Sequence, residues 1–430
     1  MKPTDFRHIE TFCDQGLTVN KLRLSNGLTL LHQFQEGCPV VSYQTWFRVG
    51  SRDDGVSKKG QAHLLEHLMF LGTDAFPAGV YDRLVEARGG RVNAATWLDW
   101  TYYDVDVPLA LFDQVVELEA DRLMGLALTH KSFDAEREVV LNERREQVED
   151  DPDGLLLEKL WGLIFGEHPY GAPTIGHTED IEGMTLASCL DFYQDSYAAD
   201  RACICISGGI PLDQASARIE TLYSHLRPVQ RNETRFREQA PYPRLSAHRE
   251  ILSLPLAGER LLIGVAVPGI KDTRLPALDV LNEILLEGDS SILHRRCVSE
   301  GELASTVYGD LSMLALGGAY EIGVDLRPGV SAECAEGLIT QVLADLAEKP
   351  LSNHRLSRAC NQLETRTYRH LQTAHQRAGA LGFWELTADD FKGAFQLAQR
   401  YRQVTPQEIM EVCREFLGPK GQQVVIGRET

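Results

Sequence analysis

Hydrophobic and polar positions alternate in short blocks along the first half of the chain, and these blocks predict strands and helices in turn. Residues 22–33 read as two short strands around Asn26-Gly27, a strong hairpin signal. The run at 40–49 is rich in β-forming residues and predicts a central strand. Strands are further predicted at 91–97, 101–107 and 202–206, and helices at 63–72, 80–88, 109–124, 132–150, 155–165 and 214–226.

The second half of the chain repeats this order. It predicts a strand, a helix, a short helix, two strands and a helix, at 261–267, 276–286, 291–299, 304–310, 319–326 and 332–348. The polar, basic and proline-bearing stretch 229–248 predicts a linker. We therefore predict an α+β fold (an α/β sandwich) of two similar domains, 1–228 and 249–430, related by duplication. Each domain is expected to be a mostly antiparallel sheet covered by helices.

The helix predicted from residue 63 carries the sequence HLLEHL, which is the inverted zinc signature H-x-x-E-H. His63 and His67 are four residues apart, so their imidazoles stand one turn apart on the same face and can share a metal ion. Glu66 lies about 100° round the helix from His67, where it is free to take a proton from metal-bound water. The alternative is a helix that carries two histidines and a glutamate without any metal. The helix is expected to stop near Gly72, which can take a left-handed cap.

Two histidines make an incomplete zinc site, so a third ligand is expected from a separate helix. The helix predicted at 132–150 is rich in carboxylates, most of which form a solvated face. Glu136 and Glu143 are seven residues apart and share a face with Val139 and Val140 between them. A carboxylate among apolar neighbours needs a partner, and a metal ion would supply one.

The strand predicted at 91–97 contains small residues that allow another backbone to approach closely. Such a strand with a free edge could pair with an extended peptide, which is recognition by β-augmentation. The alternative is an ordinary strand within a sheet. From the periodicity of the segment alone, the ordinary strand is preferred.

Net charge, apolar runs and cysteine spacing limit which partners the chain can bind and in which compartment it is expected. The formal net charge of −19 argues against nucleic acid or an anionic membrane surface as a partner. No apolar run is long enough to span a membrane, and the first ten residues lack the apolar core of a signal peptide, so we expect a cytoplasmic protein. The nine cysteines are scattered without paired spacing, which predicts free thiols, and none is assigned to the metal.

Several short motifs together resemble the pitrilysin and insulin-degrading-enzyme family of inverted-motif zinc peptidases, in its short two-domain branch that includes the mitochondrial processing peptidase. They are Asn26-Gly27-Leu28, Gly50-Ser51-Arg52, Gly60-x-Ala62-His63-Leu64-Leu65-Glu66-His67, Phe70-x-Gly72-Thr73, Gly89-Gly90-x-x-Asn93-Ala94-x-Thr96, Asn142-Glu143 and His168-Pro169-Tyr170-Gly171. The resemblance covers nearly the whole chain. It implies two similar α/β domains per chain, and two such units that close around an internal chamber.

The resemblance also implies a role for each matching residue. His63, His67 and Glu143 correspond to the three ligands of one Zn²⁺ ion per chain, and Glu66 to the general base. Glu136 corresponds to a glutamate that supports a ligand. Asn93-Ala94 would lie on the edge strand that pairs with the substrate backbone, which reverses the preference for an ordinary strand.

One stretch departs from the family pattern. Active members carry an Arg and a Tyr, seven residues apart, in the half that lacks the metal, and Val298 and Ser305 stand at these positions here. A missing donor to the developing oxyanion can cost about 10²–10³ in rate. The hypothesis is therefore a heterodimer, in which this chain is the metal-bearing subunit and a related chain supplies the Arg and Tyr. A homodimer is the alternative.

These observations predict a zinc-dependent endopeptidase subunit that hydrolyses peptides or unfolded segments inside a closed chamber. Glu66 would take the proton from zinc-bound water and deliver it to the leaving amine. One alternative is a non-catalytic scaffold or assembly subunit that retains the peptidase fold. Another is a metal-binding protein without hydrolysis, which Glu66→Gln would separate from an enzyme.

Overall fold

The computed structural model describes residues 5–229 and 246–429, which form two compact units. The first unit contains residues 5–142, 174–229 and 369–395, and the second contains 143–173, 246–368 and 396–429. Most of the predicted linker, 229–248, lies outside the described residues. The division of the sequence at this linker stays a prediction. By their packing, residues 143–173 of the first half belong to the second unit, and residues 369–395 of the second half belong to the first unit.

A seven-stranded sheet forms the centre of the first unit. Its strands are β1 (Phe6–Asp14), β2 (Leu17–Leu24), β3 (Thr29–Phe34), β4 (Val40–Phe47), β5 (Arg91–Thr96), β6 (Thr101–Pro108) and β7 (Ala202–Gly208). They lie in the order β1-β2-β3-β7-β4-β6-β5, and every neighbouring pair is antiparallel except β3 and β7. The predicted hairpin is confirmed between β2 and β3, where Gly27 has a φ of +99°.

The helices of the first half fold largely as their apolar spacing predicts. They are α1 (Gln61–Leu68), α2 (Val80–Glu86), α3 (Phe112–Met124), α4 (His130–Arg144), α5 (Pro152–Phe165), α6 (Thr178–Gly183), α7 (Leu186–Ser196) and α8 (Leu212–Tyr223). Two predicted helix ends are wrong. The first helix ends at Leu68, and Gly72, with a φ of +91°, instead turns the chain beside Phe76 and Ala78. The helix predicted to Asp150 ends as an α-helix at Arg144, and one π turn follows at Arg145–Glu149.

The second unit is built on a five-stranded sheet with the same topology. Its strands are β8 (His248–Leu254), β9 (Arg260–Val267), β10 (Ala304–Met313), β11 (Gly318–Leu326) and β12 (Gln423–Glu429). Their order is β10-β11-β9-β12-β8, and β12 and β8 form its one parallel pair. Strands β3 to β7 and β8 to β12 match one another in chain order, neighbours and direction. The predicted mostly antiparallel sheets and the duplication are therefore confirmed.

Within residues 246–429 the structure has six α-helices: α9 (Leu275–Leu286), α10 (Ala332–Glu348), α11 (Asn353–Arg369), α12 (Ala374–Ala388), α13 (Gly393–Gln403) and α14 (Pro406–Phe416). The short helix predicted at 291–299 is a single π turn, His294–Ser299. Across residues 5–229 and 246–429, no helix combines the length and the apolar content that crossing a membrane requires.

The two halves of the sequence exchange one helix. Helix α5 packs on β9 and β12 of the second sheet, and α12 packs on the corresponding strands β4 and β7 of the first sheet. Small residues allow this close packing, because a Cβ at Gly382 would lie 2.4 Å from the Trp46 indole. The buried Arg377 fixes α12 through hydrogen bonds from its guanidinium to the Gln33 and Ser207 side chains. Each sheet is thus covered on one face by a helix from the other half of the chain.

Candidate metal centre

The loop before α1 determines where that helix begins. The buried Asp54 carboxylate accepts hydrogen bonds from the backbone N–H groups of Gly60 and Ala62, both at 2.8 Å. Burial raises the pKa of Asp54 to about 8. The two hydrogen bonds favour the ionised form and so lower the pKa, but burial has the larger effect. Gly60 has a φ of +90°, and a Cβ there would lie 2.3 Å from the carbonyl oxygen of Ile175. Only glycine fits this helix start.

Both histidines of the H-x-x-E-H motif stand on one face of α1, as the spacing predicts. Their ring centroids are 4.8 Å apart, with an angle of 64° between the planes. The opposite face is buried in the core by Leu64, Leu65 and Leu68, each 0% exposed. The histidines themselves are half-buried, so the helix is anchored on one face while the imidazoles stay accessible.

Helix α4 brings both candidate glutamates to these histidines. One ligand atom each from His63, His67 and Glu143 lies within 4.8 Å of the other two. Glu143 also accepts a hydrogen bond from the Gln147 amide at 2.9 Å. Glu136 contacts one of the histidines, with its Oε1 3.0 Å from His67 Nδ1. Because a carboxylate oxygen accepts, His67 donates from Nδ1 in this bond, and Nε2 is the atom that would bind a metal ion.

The donor set fits a zinc ion. Two imidazoles and one carboxylate are a set found in catalytic zinc sites, where a fourth position stays open for water or substrate. The carboxylate hydrogen-bonded to His67 is the usual support for a ligating histidine. His63, His67 and Glu143 could therefore hold the ion, while Glu136 would orient one ligand.

Glu66 is held beside this centre by a residue that sequence reasoning did not assign. Thr96, the last residue of β5, donates its hydroxyl to Glu66 Oε2 at 2.6 Å. The Thr101 hydroxyl donates instead to the Val49 carbonyl at 3.0 Å, so it does not compete for Glu66. The sequence feature that could have identified Thr96 was its position at the end of the segment that starts at Asn93.

Strand β5 carries the two residues predicted to pair with substrate. Asn93 and Ala94 pair with Asp104 and Tyr103 of β6, and no strand of the described chain pairs with the other side of β5. Ala94 packs against the core, whereas the Asn93 side chain is exposed. The strand thus lies at the edge of the sheet with its last residue on Glu66, and the pairing with substrate stays a prediction.

The second unit has no histidine at the corresponding place. Helix α9 carries Asp279 and Glu283 four residues apart, where the buried Glu283 accepts a hydrogen bond from Arg366 of α11 at 2.7 Å. Asp279 accepts one from the Tyr401 hydroxyl. The Arg366 guanidinium and the Tyr401 hydroxyl therefore already hydrogen-bond to these two carboxylates. With this pairing, α9 has no metal site like the one on α1.

The positions where the sequence departs from the family pattern lie in the same unit. Val298 is in the π turn that precedes β10, and Ser305 of β10 donates its hydroxyl to the Asp325 carbonyl at 3.1 Å. Tyr308 is 41% exposed and its ring packs over Gly323. No arginine or tyrosine therefore stands at either of the two positions, which Val298 and Ser305 occupy.

The two sheets share one five-stranded arrangement, which β1 and β2 extend in the first unit, and the H-x-x-E-H motif occurs in the first copy alone. These features define a two-domain protein with a metallopeptidase type of site. Residues 33–178 match the family described as "Insulinase (Peptidase family M16)", and residues 183–363 match "Peptidase M16 inactive domain". The chain belongs to the M16 peptidase family, which confirms the resemblance seen in its motifs. The description of the second region as inactive agrees with the absence of histidines from α9.

Of three related proteins, two match nearly the whole chain and the third matches about half of it. The chain is 29% identical over 420 residues to an uncharacterized zinc protease of Mycobacterium leprae, covering 95% of this chain and 92% of the relative. A solved structure of a protease from Helicobacter pylori is similar with a TM-score of 0.91 and 25% identity, covering 95% of this chain and 99% of that one. The beta subunit of the mitochondrial-processing peptidase of Neurospora crassa is 28% identical over 216 residues, which is 49% of this chain and 44% of the subunit.

Proposed function

We propose that this chain is a zinc-dependent endopeptidase subunit that hydrolyses peptides or unfolded protein segments. The observation that carries the proposal is the meeting of ligand atoms from His63, His67 and Glu143 within 4.8 Å, beside a glutamate fixed by Thr96. Relatives named as zinc proteases support the same reaction.

Each residue of the centre has a defined task in this reaction. His63, His67 and Glu143 would hold a zinc ion, which supplies Lewis acidity at the scissile carbonyl and lowers the pKa of water. Glu66 takes a proton from the attacking water and returns it to the leaving amine. Thr96 keeps the Glu66 carboxylate in place through its hydroxyl, and Glu136 keeps the His67 imidazole in the tautomer that binds metal.

Substrate would bind as an extended strand along β5. The Asn93-Ala94 segment would supply backbone hydrogen bonds at the edge of the sheet, where every second residue turns its N–H and C=O away from β6, and the strand leads from Arg91 to Thr96, where Glu66 lies. An unfolded segment can adopt this conformation, whereas a folded domain cannot present its backbone. A closed chamber formed with a second chain would favour such substrates further.

The second chain in this proposal is a related subunit that supplies an arginine and a tyrosine to the oxyanion. The support is that Val298 and Ser305 stand at these positions here. A related protein that bears the name of a beta subunit also supports a heterodimer. In the alternative homodimer, the chain itself would stabilise the oxyanion by other groups.

The test is cleavage of an unstructured fluorogenic peptide by the purified chain, with zinc content measured on the same sample. With a related chain that bears the Arg and Tyr co-expressed, we expect chelator-sensitive cleavage that Glu66→Gln lowers by about 10²–10⁴, since the variant lacks the general base. The variant should still bind zinc as the wild type does. Glu86→Gln, an exposed glutamate on α2, is the matched control and should cleave normally.

The outcomes separate the proposals. A Glu66→Gln variant that cleaves at the wild-type rate would refute the assigned mechanism. Full zinc without cleavage by the chain alone, and cleavage after co-expression with a related chain bearing the Arg and Tyr, would support the heterodimer. Zinc binding without cleavage in either case would identify a non-catalytic subunit.

A further inference from the structure

A second cluster of possible ligands lies on the face of the first sheet that α12 covers. Asp104 and Asp106 are two residues apart on β6, so both side chains point to the same face. His375, in the first turn of α12, lies over them. One ligand atom from each of the three residues lies within 4.8 Å of the other two. None of the three takes part in the proposed hydrolysis.

Asp104 is a buried carboxylate that no group in the described chain satisfies by hydrogen bonding. Its side chain is 0% exposed, and neither of its oxygens has a hydrogen-bond partner. Gln44 lies opposite Asp104 on β4, but its side-chain amide donates to the His375 carbonyl at 3.0 Å and to the Ser42 hydroxyl at 3.3 Å. A buried carboxylate without donors is costly unless a cation balances it.

The spacing of the cluster is that of ligands around one ion. The His375 Nδ1 atom lies 3.1 Å from Asp106 Oδ2 and 3.6 Å from Asp104 Oδ2. Atoms that bind a shared ion at about 2.1 Å are separated by about 3.0–3.5 Å in tetrahedral or octahedral geometry. Small side-chain shifts would therefore place all three atoms around one cation.

Besides His375, the described cation within 4.0 Å of the two carboxylates is Arg91 of β5, and Glu119 adds its negative charge at Asp104 from a greater distance. Its guanidinium nitrogen lies 3.8 Å from Asp104 Oδ2 and 3.7 Å from Asp106 Oδ2, beyond hydrogen-bond distance. The Arg91 side chain is 61% exposed, so water screens its charge and leaves it free to turn away. Arg91 alone does not satisfy the buried Asp104.

A route for an ion is present. A surface cavity of about 510 Å³ is lined by Arg91, Asp106, His375 and the start of α12. Asp106 and His375 are about one-third exposed, at 29% and 32%, whereas Asp104 forms the closed inner side. A cation could enter past the two outer residues and reach the buried carboxylate.

We propose that Asp104, Asp106 and His375 form a second divalent-cation site, separate from the H-x-x-E-H centre. Two carboxylates and one imidazole suit a first-row ion such as Zn²⁺ or Mn²⁺. The bound ion ties α12, from the second half of the sequence, to β6, the strand that pairs with β5. It replaces the proton that His375 otherwise shares with Asp106, so binding strengthens as pH rises. The site does not depend on the proposed hydrolysis.

The test counts ions in the full chain after chelator treatment and dialysis against Zn²⁺, and repeats the count with Mn²⁺. Compared with the wild type, His375→Ala and Asp104→Asn should each lose one equivalent. His63→Ala should lose a different equivalent, so that the double variant His63→Ala/His375→Ala loses both. His370→Ala, an exposed histidine just before α12, is the matched control and should bind as the wild type does.

A second readout does not depend on the number of ions. In the His63→Ala background, Co²⁺ should give a ligand-field absorption band that disappears with His375→Ala. Circular dichroism establishes that each variant is folded, and Asp106→Asn replaces any variant that is not. If His375→Ala and Asp104→Asn bind as many ions as the wild type, the site does not exist and the cluster is an Asp-His-Arg ion network. If they lose one ion while His63→Ala loses none, the second site stands and the proposed zinc centre fails.

Discussion

Glu136 contacts the candidate zinc centre through a hydrogen bond to His67. Replacing Glu136 therefore tests whether this hydrogen bond holds the imidazole in position for metal binding. The hydrogen bond between His67 Nδ1 and Glu136 Oε1 is 3.0 Å long, and the two side chains are 23% and 19% exposed. Glu136→Gln keeps an oxygen acceptor but removes its charge. Glu136→Ala removes the acceptor altogether and lets the ring rotate and change tautomer.

The structure sets the size of the effect. A hydrogen bond to a charged group contributes about 1.5–3 kcal/mol, and partial exposure places this one near the lower end. About 1.4 kcal/mol corresponds to a tenfold change in affinity. We therefore expect Glu136→Gln to raise the Kd for zinc about tenfold and Glu136→Ala to raise it towards 100-fold, in the range known for such supporting residues.

The assay is competition for zinc with a chromophoric chelator, at fixed pH and on protein shown to be folded. Glu138→Gln is the matched control, because Glu138 is exposed on the same helix and lies outside the ligand set. The reasoning would be refuted by a Glu136→Ala variant whose Kd stays within twofold of both the wild type and this control. In that case the contact seen on His67 would have no part in holding the metal.

Three further predictions test the surroundings of the centre and the second unit. Thr96→Val should lower kcat about tenfold without loss of zinc, since one hydrogen bond to a carboxylate is lost, whereas Thr221→Val on α8 should leave kcat unchanged. Gly60→Ala should lower the urea midpoint sharply, but Gly37→Ala, which has a φ of +73° and open space, should lower it only slightly. Burial raises the pKa of Glu321 from 4.5 to about 7, so the folded chain keeps a proton that the unfolded chain has lost. The free energy of unfolding should fall between pH 4.5 and 7, by up to about 3 kcal/mol, and Glu321→Gln should remove this loss; an unchanged pH dependence would contradict it.

Local periodicity accounts for the parts of the fold that were predicted. Strands such as β4 and helices such as α3 carry their own apolar pattern, so their existence can be read from a short window. Strands β1, β8 and β12 were not predicted, and for β1 and β8 the reason is that their alternation is weak and their burial depends on distant neighbours. The packing of α5 and α12 could not be predicted, because an apolar helix face does not specify which sheet it will cover.

The residues of the candidate site also divide into those that local sequence predicts and those that depend on distant parts of the chain. The positions of His63, His67 and Glu66 on one helix follow from spacing within a single turn, whereas Glu143 required either a search for a buried carboxylate or the resemblance to a family. Thr96 was not assigned, because its contact with Glu66 joins residues 30 positions apart. The cluster around His375 joins a strand and a helix more than 260 positions apart, and no local pattern predicts such a contact.

The exchange of helices has a consequence for how the chain folds as it is made. Helix α12 begins at residue 374 of 430, so during synthesis β4 and β7 are complete long before the helix that covers them exists. Trp46, Cys203 and Cys205 would stay uncovered on the nascent chain, although domains at the N-terminus commonly fold first. A fragment that ends before α12 should therefore bind chaperones or aggregate, and should recover its structure when the missing fragment is supplied separately. The unit that carries the H-x-x-E-H motif is thus completed only after α12 has been synthesised.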